Sequence, residues 1–268
     1  MSTYIMTDIH GHYGVMKKML HKIGFSTADR LICAGDYIDR GPESYEMLRW
    51  MENPGKNVIL VRGNHDEEYA YYVELMKTIF QQRKLEMDSR EDTMSVYELA
   101  RQILSCFDSY GTVKALIQEK GMPFSKLSLW ANRIKKMRYF YETKCNGRRS
   151  IIVHAGYIEN LKSLDGVETD GDYGSLEDFY LTARDDAYLY GGVEHGMIIA
   201  GHTPTTAKYE LPFNHGNVYR FYDEETDCVF YDLDCGYAWK EVQPEAKLAC
   251  LRLEDEMVFY ITGQAQDG

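Results

Sequence analysis

The most regular feature of the sequence is a series of short apolar runs, each of which ends in a cluster of polar residues. Five such runs are three or four residues long and are bounded by turn-forming residues, a pattern typical of buried strands rather than helices. They are Tyr4–Met6, Leu31–Ala34, Val58–Val61, Ile151–Val153 and Met197–Ala200. Because α/β sheets bind ligands beyond the carboxyl ends of their strands, we expect the five polar clusters to meet at one edge.

Two segments between the first three runs have the apolar spacing of helices. Tyr13 to Ile23 places its apolar residues about one helical turn apart. Ser44 to Met51 repeats this spacing after Pro42, a residue type that favours the start of a helix. The resulting order of strand, helix, strand, helix and strand predicts a parallel sheet in this part of the chain.

The stretch from about residue 66 to about residue 141 differs, because its apolar spacing is helical throughout. We interpret it as a helical insertion or cap, with breaks near Asp88–Asp92 and Gly121–Pro123. The Gly- and Asp-rich stretch Asp165–Asp178 is interpreted as a solvated surface loop without a role in chemistry.

The last third of the chain returns to strand patterns. Two hairpins are predicted there, one from residues 217–222 and 228–233 and the other from residues 247–253 and 257–261. Strands of this kind would form a second sheet. We therefore predict one α/β domain over residues 1–268, a two-sheet mixed β-sandwich flanked by helices, with the helical insertion at about 66–141.

The polar clusters indicate a metal site. They supply three carboxylates, one amide and four imidazoles, a ligand set that suits a borderline cation such as manganese, iron or zinc. Because four such groups saturate one cation, the surplus predicts two cations about 3.5–4 Å apart, as in sites that hold both oxygens of an in-line displacement. Cys33 and Cys235 lie near these clusters, but Asp36 and Asp234 already offer oxygen donors there, so we do not expect thiolate ligands.

Five sequence blocks, in this order, also carry a resemblance. They are Asp8-Ile9-His10-Gly11, Gly35-Asp36-Tyr37-Ile38-Asp39-Arg40-Gly41, Arg62-Gly63-Asn64-His65-Asp66, His154-Ala155-Gly156 and Gly201-His202-Thr203-Pro204. They resemble the signature blocks of the calcineurin-like metallophosphoesterases. The Gly-Asp-x-x-Asp-Arg-Gly block is similar to that of the phosphoprotein phosphatases, in their bacterial and phage-type branch. The resemblance implies the calcineurin-like phosphoesterase fold and hydrolysis of phosphate monoesters by a hydroxide bound to two metal ions.

The same resemblance implies which residues bind the metals. The six implied ligands are Asp8, His10, Asp36, Asn64, His154 and His202. In the family pattern Asp36 bridges both ions. Asp8 and His10 hold the first ion, and the second is completed by Asn64, His154 and His202. Manganese is the metal that we expect, with iron and zinc as alternatives.

The resemblance further implies the residues that act on the phosphoryl group. His65 would be the general acid that protonates the leaving oxygen, and Asp39 would hold its ring and favour its protonated form. Arg40 would bind phosphoryl oxygens with its planar fork. Arg184 matches the position of a second phosphate-binding arginine in the family.

Three further charged residues bear on the site or on the lineage. Arg62 would be either a third phosphate ligand or a member of a structural ion pair. Asp234 belongs to an Asp-Cys-Gly segment that resembles a late element of the bacterial and phage enzymes. Asp66 stands where eukaryotic protein phosphatases typically have Glu, whereas many bacterial members have Asp, so it indicates lineage rather than lost activity.

Charge and composition exclude several classes of partner. The formal net charge of −12 disfavours sequence-independent binding of nucleic acid, which depends on lysine and arginine. No segment approaches the ~18 consecutive apolar residues of a membrane helix, so no membrane association is expected. The N-terminal residues lack the pattern of a secretory signal, and the six cysteines have no metal-binding or disulfide spacing. A cytoplasmic protein with free thiols is predicted.

The substrate has alternatives. A phosphorylated protein, attacked at serine or threonine, is the substrate that the resemblance favours. A small phosphoester is the alternative, because relatives with the same blocks hydrolyse bis(5'-nucleosyl) tetraphosphates or other nucleotides. Five tyrosines of the insertion would then either line the pocket of a nucleotide base or be ordinary core residues; they are Tyr69, Tyr71, Tyr72, Tyr97 and Tyr110. An inactive metal-binding scaffold is a third reading, disfavoured because Asp36, Asp39 and His65 are all present.

Overall fold

The computed structural model describes residues 1–164, 167 and 169–263. Within these residues ten strands form two five-stranded sheets. In chain order the strands are β1 (Thr3–Met6), β2 (Arg30–Ala34), β3 (Val58–Val61), β4 (Phe140–Cys145), β5 (Arg148–Val153), β6 (Gly196–Ala200), β7 (Tyr219–Asp223), β8 (Cys228–Asp232), β9 (Lys247–Arg252) and β10 (Met257–Thr262).

The first sheet has the strand order β10-β9-β1-β2-β3. Its β1, β2 and β3 are parallel, in a register that pairs Ile5 with Ile32 and Ile32 with Ile59. β9 runs antiparallel to β1, and β10 runs antiparallel to β9. Since parallel neighbours end at the same edge, the loops after β1, β2 and β3 lie side by side.

The second sheet has the strand order β4-β5-β6-β8-β7. Its three inner strands, β5, β6 and β8, are parallel, and β4 and β7 are antiparallel edge strands. The carboxyl ends of β5 and β6 therefore also share an edge.

The inner faces of the two sheets pack against each other through aliphatic side chains. Ile5, Ile32 and Val61 of the first sheet meet Ile152 and Ile199 of the second, and all five are fully buried. Removing this apolar surface from water stabilises the sandwich by roughly 25 cal/mol per Å². This packing holds the strand ends of both sheets in fixed positions relative to each other.

Eight α-helices flank the sheets in the described part of the chain. They are α1 (Tyr13–Lys22), α2 (Ser44–Met51), α3 (Asn64–Arg83), α4 (Arg90–Ile103), α5 (Thr112–Gln118), α6 (Phe124–Ile134), α7 (Leu176–Thr182) and α8 (Asp185–Leu189). The first six share one apolar core with the outer face of the first sheet. The last two pack on the outer face of the second sheet, through Phe179 and Ala187.

The stretch between β3 and β4 holds α3 to α6, and it contains a break that the sequence pattern did not predict. Residues 104–111 are not helical. Asp108 lies in this link and caps the next helix, α5, because its carboxylate accepts the backbone N–H groups of Val113 and Lys114, each at 2.8 Å. Phe107, 3% exposed, anchors this link in the core. β4 begins at Phe140, within the range assigned to helix.

The predicted fold class, α/β with two mixed sheets and flanking helices, is confirmed. Three residues of the Gly- and Asp-rich stretch, at positions 165, 166 and 168, lie outside the described residues, and α7 begins at Leu176, so that stretch ends in a helix. No helix among the described residues is long and apolar enough to cross a membrane.

Candidate metal centre

The six predicted metal ligands converge at the edge where the two sheets meet. Asp8 and His10 follow β1, and Asp36 follows β2. The remaining three ligands, at the start of α3 and in the loops after β5 and β6, are Asn64, His154 and His202. Four of the ligands thus come from the first sheet and two from the second.

The backbone of these loops is unusual. Six of the ten predicted site residues have a positive φ angle, which costs a residue with a Cβ atom of order 1 kcal/mol or more. They are Asp8 (51°), His10 (43°), Asp36 (53°), Asp39 (69°), Arg40 (64°) and His202 (73°). Backbone in this region persists where the surrounding structure enforces it, and it clusters at functional sites. Here it turns the side chains of three loops toward one point.

Two glycines make the convergence sterically possible. A Cβ atom at Gly63 would overlap the backbone nitrogen and Oδ1 of Asp36. A Cβ atom at Gly201 would overlap Oδ2 of Asp8. Any other residue at these two positions would push a predicted ligand out of place.

A first group of donor atoms is formed by Asp8, His10 and Asp36. Nε2 of His10 lies 3.4 Å from Oδ2 of Asp36 and 3.8 Å from Oδ1 of Asp8. Oδ2 of Asp8 accepts hydrogen bonds from the Thr7 hydroxyl and the His202 backbone N–H. Its Oδ1 is buried and accepts no hydrogen bond from any described residue. A buried carboxylate oxygen without a donor is costly unless a cation satisfies it.

A second group of donor atoms is formed by Asp36, Asn64, His154 and His202. Oδ1 of Asn64 lies 2.9 Å from Nε2 of His154 and 3.1 Å from Nδ1 of His202. Oδ1 of Asp36 lies 3.4 Å from the same Nε2 of His154. Asp36 therefore turns one carboxylate oxygen to each group, which is the geometry of a bridging ligand.

Hydrogen bonds to the backbone set the tautomer of two histidines. Nδ1 of His10 donates to the carbonyl of Ile38 at 3.0 Å, and Nδ1 of His154 donates to the carbonyl of Ala34 at 2.9 Å. Each neutral ring then presents a lone pair on Nε2 to its donor group. Because Nε2 of His154 and Oδ1 of Asn64 are both acceptors in that state, a cation between them removes their mutual repulsion.

The electrostatics of the cluster favour the protonation states that metal ligands need. Burial lowers the pKa of His10 to about 3. Burial, and then the neighbouring His154, hold the pKa of His202 well below its usual range. Burial raises the pKa of Asp36, but the surrounding imidazoles outweigh it and hold the pKa of that carboxyl below its usual range. A neutral His10, a neutral His202 and an ionised Asp36 are the protonation states that ligands of a divalent cation need.

His65 and Asp39 form a hydrogen-bonded pair beside the first donor group. Nδ1 of His65 donates to Oδ2 of Asp39 at 2.7 Å, and Nε2 of His65 lies 3.8 Å from Oδ2 of Asp36. Burial lowers the pKa of His65, but the carboxylates of Asp36 and Asp39 outweigh it and raise the pKa to about 9. Nη2 of Arg40 lies 3.1 Å from Nε2 of His65.

A cavity of about 430 Å³ opens above the converged side chains. Both predicted phosphate-binding residues, Arg40 and Arg184, line it. The guanidinium of Arg40 lies between two half-exposed aromatic rings, 5.5 Å from the ring centre of Tyr110 and 4.8 Å from that of Trp239. A larger groove of about 1020 Å³ lies along β3 and α6, but none of the predicted site residues lines it. The smaller cavity is therefore the candidate active site.

Comparison with known families agrees with this geometry. The family model described as calcineurin-like phosphoesterase matches residues 1–237. The chain belongs to the calcineurin-like phosphoesterase family. Members of this family hydrolyse phosphoester bonds and depend on two metal ions.

Two curated relatives of this chain share one name. Over 67 residues the chain is 46% identical to a protein of Buchnera aphidicola and 43% identical to one of Escherichia coli, both named symmetrical bis(5'-nucleosyl)-tetraphosphatase. Each match covers 25% of this chain and 24% of the relative, so the chain spans about a quarter of the length of these curated relatives.

Solved structures show the same fold at low sequence identity. A protein described as a candidate diadenosine tetraphosphatase has a TM-score of 0.56 and 16% identity, with 100% of this chain and 95% of that chain covered. A serine/threonine protein phosphatase from Saccharomyces cerevisiae has a TM-score of 0.52 and 13% identity, with 100% and 81% covered.

Three residues near the phosphoesterase site lie outside it. Arg62 is buried and directed away from the cavity: it contacts Glu67 at 2.6 Å and donates to the carbonyls of residues 135 and 137. Of its two interpretations, the structure therefore shows the ion pair. Asp66 accepts backbone N–H groups of Asp36, Tyr37 and Gly63, so it shapes the loop without facing the cavity. Asp234 is buried and accepts the backbone N–H of Gly236.

Several lining residues escaped the sequence motifs. Glu68 lies one helical turn after Asn64, so helical periodicity alone predicts it on the same face of α3. Of the five tyrosines named above, only Tyr110 lines the cavity, whereas Tyr69, Tyr72 and Tyr97 are core residues and Tyr71 is exposed elsewhere. Trp239 has no signal beyond its position shortly after Asp234.

Proposed function

We propose that the six converged side chains of this phosphoesterase hold two divalent cations, bridged by Asp36. Asp8 and His10 would complete the first site, and the three residues that follow β3, β5 and β6 would complete the second. The observation that supports this most directly is the buried Asp36 carboxylate, whose two oxygens lie 3.4 Å from His10 Nε2 and 3.4 Å from His154 Nε2, one in each donor group. Oxygen and nitrogen donors without thiolate suit manganese, and iron and zinc also fit this donor set.

When bound, such a metal pair supplies positive charge to the phosphoryl oxygens and activates the water that attacks phosphorus. The chain itself supplies the proton for the leaving oxygen. His65 points Nε2 into the cavity and is held from behind by Asp39 at 2.7 Å, which stabilises the protonated ring. Burial of this pair strengthens the interaction, because little solvent screens it.

Arg40 and Arg184 would hold the phosphoryl group. Nη2 of Arg40 lies 3.1 Å from Nε2 of His65, so a phosphoryl oxygen bound beside both would accept from the guanidinium and, when the ring is protonated, from His65 as well. Arg184 also lines the cavity and is half-exposed, in contact with Glu210 at 3.7 Å. The planar fork of arginine suits the tetrahedral array of phosphate oxygens better than a lysine would.

For the substrate we propose a phosphorylated serine or threonine side chain, as expected for the phosphoprotein phosphatase branch. Support comes from the Asp39-Arg40 sequence, which by resemblance is not general to the wider superfamily, and from the place of Arg40 in the cavity wall beside His65. A dinucleoside polyphosphate is the second candidate. It is favoured by the half-exposed rings of Tyr110 and Trp239 at the cavity, since flat bases stack on aromatic side chains.

The metal and acid roles are tested with an aryl phosphate, in the presence of manganese and of chelator. Turnover should require metal, and His65→Asn should lower it roughly 10²–10⁴-fold while the bound metal is retained. His195→Asn, an exposed histidine paired with Asp227, serves as the matched substitution and should keep full activity. Activity that survives chelation would refute the metal proposal. Loss of metal from His65→Asn would indicate that His65 is a metal ligand rather than the acid.

The substrate is tested with a panel of phosphoserine, phosphothreonine and phosphotyrosine peptides beside diadenosine tetraphosphate. Trp239→Ala separates the candidates. It should lower hydrolysis of the dinucleotide about 10-fold, if a base stacks there, and leave peptide hydrolysis nearly unchanged. If the wild type prefers the dinucleotide and Trp239→Ala abolishes that preference, the phosphoprotein proposal is wrong and a dinucleoside polyphosphate is the substrate.

A further inference from the structure

The helical insertion donates one hydroxyl to Asp39, the carboxylate that holds the proposed acid. Thr112, the first residue of α5, donates from Oγ1 to Oδ1 of Asp39 at 2.5 Å. The other oxygen of that carboxylate, Oδ2, accepts from Nδ1 of His65 at 2.7 Å. Thr112 and Asp39 are each only 7% exposed, so solvent does not readily replace either partner.

The two contacts together fix the plane of the Asp39 carboxylate. With one partner, a carboxylate rotates about its Cβ–Cγ bond while keeping a single hydrogen bond. With a donor on each oxygen, rotation breaks at least one charge-assisted bond. Among the described residues, Thr112 is the side chain that donates to Oδ1 of Asp39, and the Asp39 backbone N–H is separately held by the Ser44 hydroxyl. The orientation of the His65 ring therefore depends on a residue of the insertion.

Thr112 is itself held in place by the turn that starts α5. Asp108 accepts the backbone N–H groups of Val113 and Lys114, and the hydroxyl of Tyr97 in α4 donates to it at 3.1 Å. Gly111, with φ of 74°, makes the turn just before Thr112. The same turn presents Tyr110, whose ring centre lies 4.7 Å from that of His65. One short segment thus contacts the imidazole directly and through Asp39.

We propose that Thr112 is a positioning residue for the acid, and that the segment from Asp108 to Thr112 makes the insertion part of the catalytic machinery. This inference rests on the proposed role of His65. As the bond between phosphorus and the leaving oxygen breaks, its electron pair stays on that oxygen, which takes the proton from Nε2 of His65. Asp39 stays ionised throughout, and Thr112 keeps its own proton. Thr112 acts only by holding Asp39, and through it the ring, in line with the leaving oxygen.

The leaving group of the substrate distinguishes positioning of an acid from general packing. An alkoxide needs a proton as it departs, whereas p-nitrophenolate departs without one, so only the first reaction depends on a well-aligned acid. Thr112→Val keeps the shape of the side chain and removes the hydroxyl. A hydrogen bond to a charged group contributes enough that its loss should lower kcat for an alkyl phosphate about 10-fold. KM should change by less than about 2-fold, and kcat for p-nitrophenyl phosphate by less than about 3-fold.

Three companion variants complete the experiment, each measured with both substrates and for metal content. Thr112→Ser restores the hydroxyl and should restore most of kcat for the alkyl phosphate. Thr112→Ala removes the hydroxyl without adding a methyl group in its place, and it gives the same test if Thr112→Val does not fold. Thr93→Val is the matched control, because Thr93 is a buried threonine of the same insertion whose hydroxyl bonds to the backbone of Ser89 and Phe124 and not to Asp39. It should lower stability without changing the ratio of the two kcat values.

An equal loss of kcat on both substrates, an unchanged kcat on both, or a failure of Thr112→Ser to restore activity would overturn the role of Thr112. Each of these outcomes leaves the proposed function intact, because wild-type turnover with metal is measured in the same series. Wild-type protein without metal-dependent turnover on either substrate would instead overturn the proposed function, and this inference with it.

Discussion

The bridging role of Asp36 is open to a sharp test by Asp36→Asn. The substitution is nearly isosteric, and the amide oxygen can still accept the backbone N–H of His65, which Oδ1 accepts at 3.1 Å in the wild type. The second carboxylate oxygen becomes an NH₂ group, which has no lone pair for a metal. It would face Nε2 of His10, where Oδ2 of Asp36 now lies 3.4 Å away. Both donor groups therefore lose a charge, and one of them loses a ligand atom.

The size of the effect follows from the linkage between binding and folding. A cation at about 100 times its Kd stabilises the folded state by about 2.7 kcal/mol per site. In a chain of this size 1 kcal/mol corresponds to about 2–4 °C in Tm, so two sites raise Tm by roughly 10–20 °C. The metal-dependent part of the Tm should be largely absent in Asp36→Asn. Metal content after stripping and reconstitution should fall from two ions per chain to one or none.

The assay compares thermal unfolding with and without manganese, together with the metal stoichiometry. Asp39→Asn is a matched control, since it makes the same change in the same loop at a buried residue with a positive φ angle. It should keep both metals and the full Tm shift while losing turnover. Two bound ions and an unchanged Tm shift in Asp36→Asn would refute the bridge. Loss of metal from Asp39→Asn would refute the division between ligands and acid.

Three further predictions concern residues in or near the site. The pKa of His65 is raised to about 9, so the proton that an alkyl leaving group needs is present at neutral pH and lost above pH 9. The kcat for an alkyl phosphate should therefore fall as pH rises through about 9. A His65→Asn variant whose kcat still falls in this pH range would contradict the role of His65 as the acid. Arg62→Ala should lower the free energy of unfolding by about 2–4 kcal/mol, because it leaves two backbone carbonyls without donors. Arg184→Ala, at a half-exposed side chain, should instead raise KM with little change in Tm, and chemical denaturation of the two variants separates these outcomes.

The strands that carry the site were predictable because their signal is local. Each is a short apolar run that stops at a glycine or a polar residue, and all five proved to be strands whose carboxyl ends meet. Edge strand β4 was not predicted, since Phe140–Cys145 alternates half-buried and exposed positions and follows directly on a helical stretch. The prediction of a single domain over residues 1–268 stays a prediction, as does the cytoplasmic location.

The part of the site that sequence motifs could not supply comes from distant segments. The hydrogen bond from Thr112 to Asp39 spans 73 positions, and neither the link 104–111 nor the start of α5 matches a family block. Trp239 reaches Arg40 from the far end of the chain, after β8. Contacts of this kind depend on how helices pack on the sandwich, which local periodicity does not determine.

The position of the donor groups between the two sheets has a consequence for folding. Asp8, His10, Asp36 and Asn64 follow strands of the first sheet, whereas His154 and His202 follow strands of the second. A cation held by Asn64, His154 and His202 would therefore join the two sheets. It would do so at the edge where Oδ1 of Asp8 is buried and accepts no hydrogen bond from a described residue. The strained loops and the unsatisfied carboxylate are costs that metal binding would offset, because ligands that are apart in the unfolded chain are brought together only in the folded one. On this reasoning the metal pair serves stability as well as chemistry, and the sheets should separate first at this edge when the metal is removed.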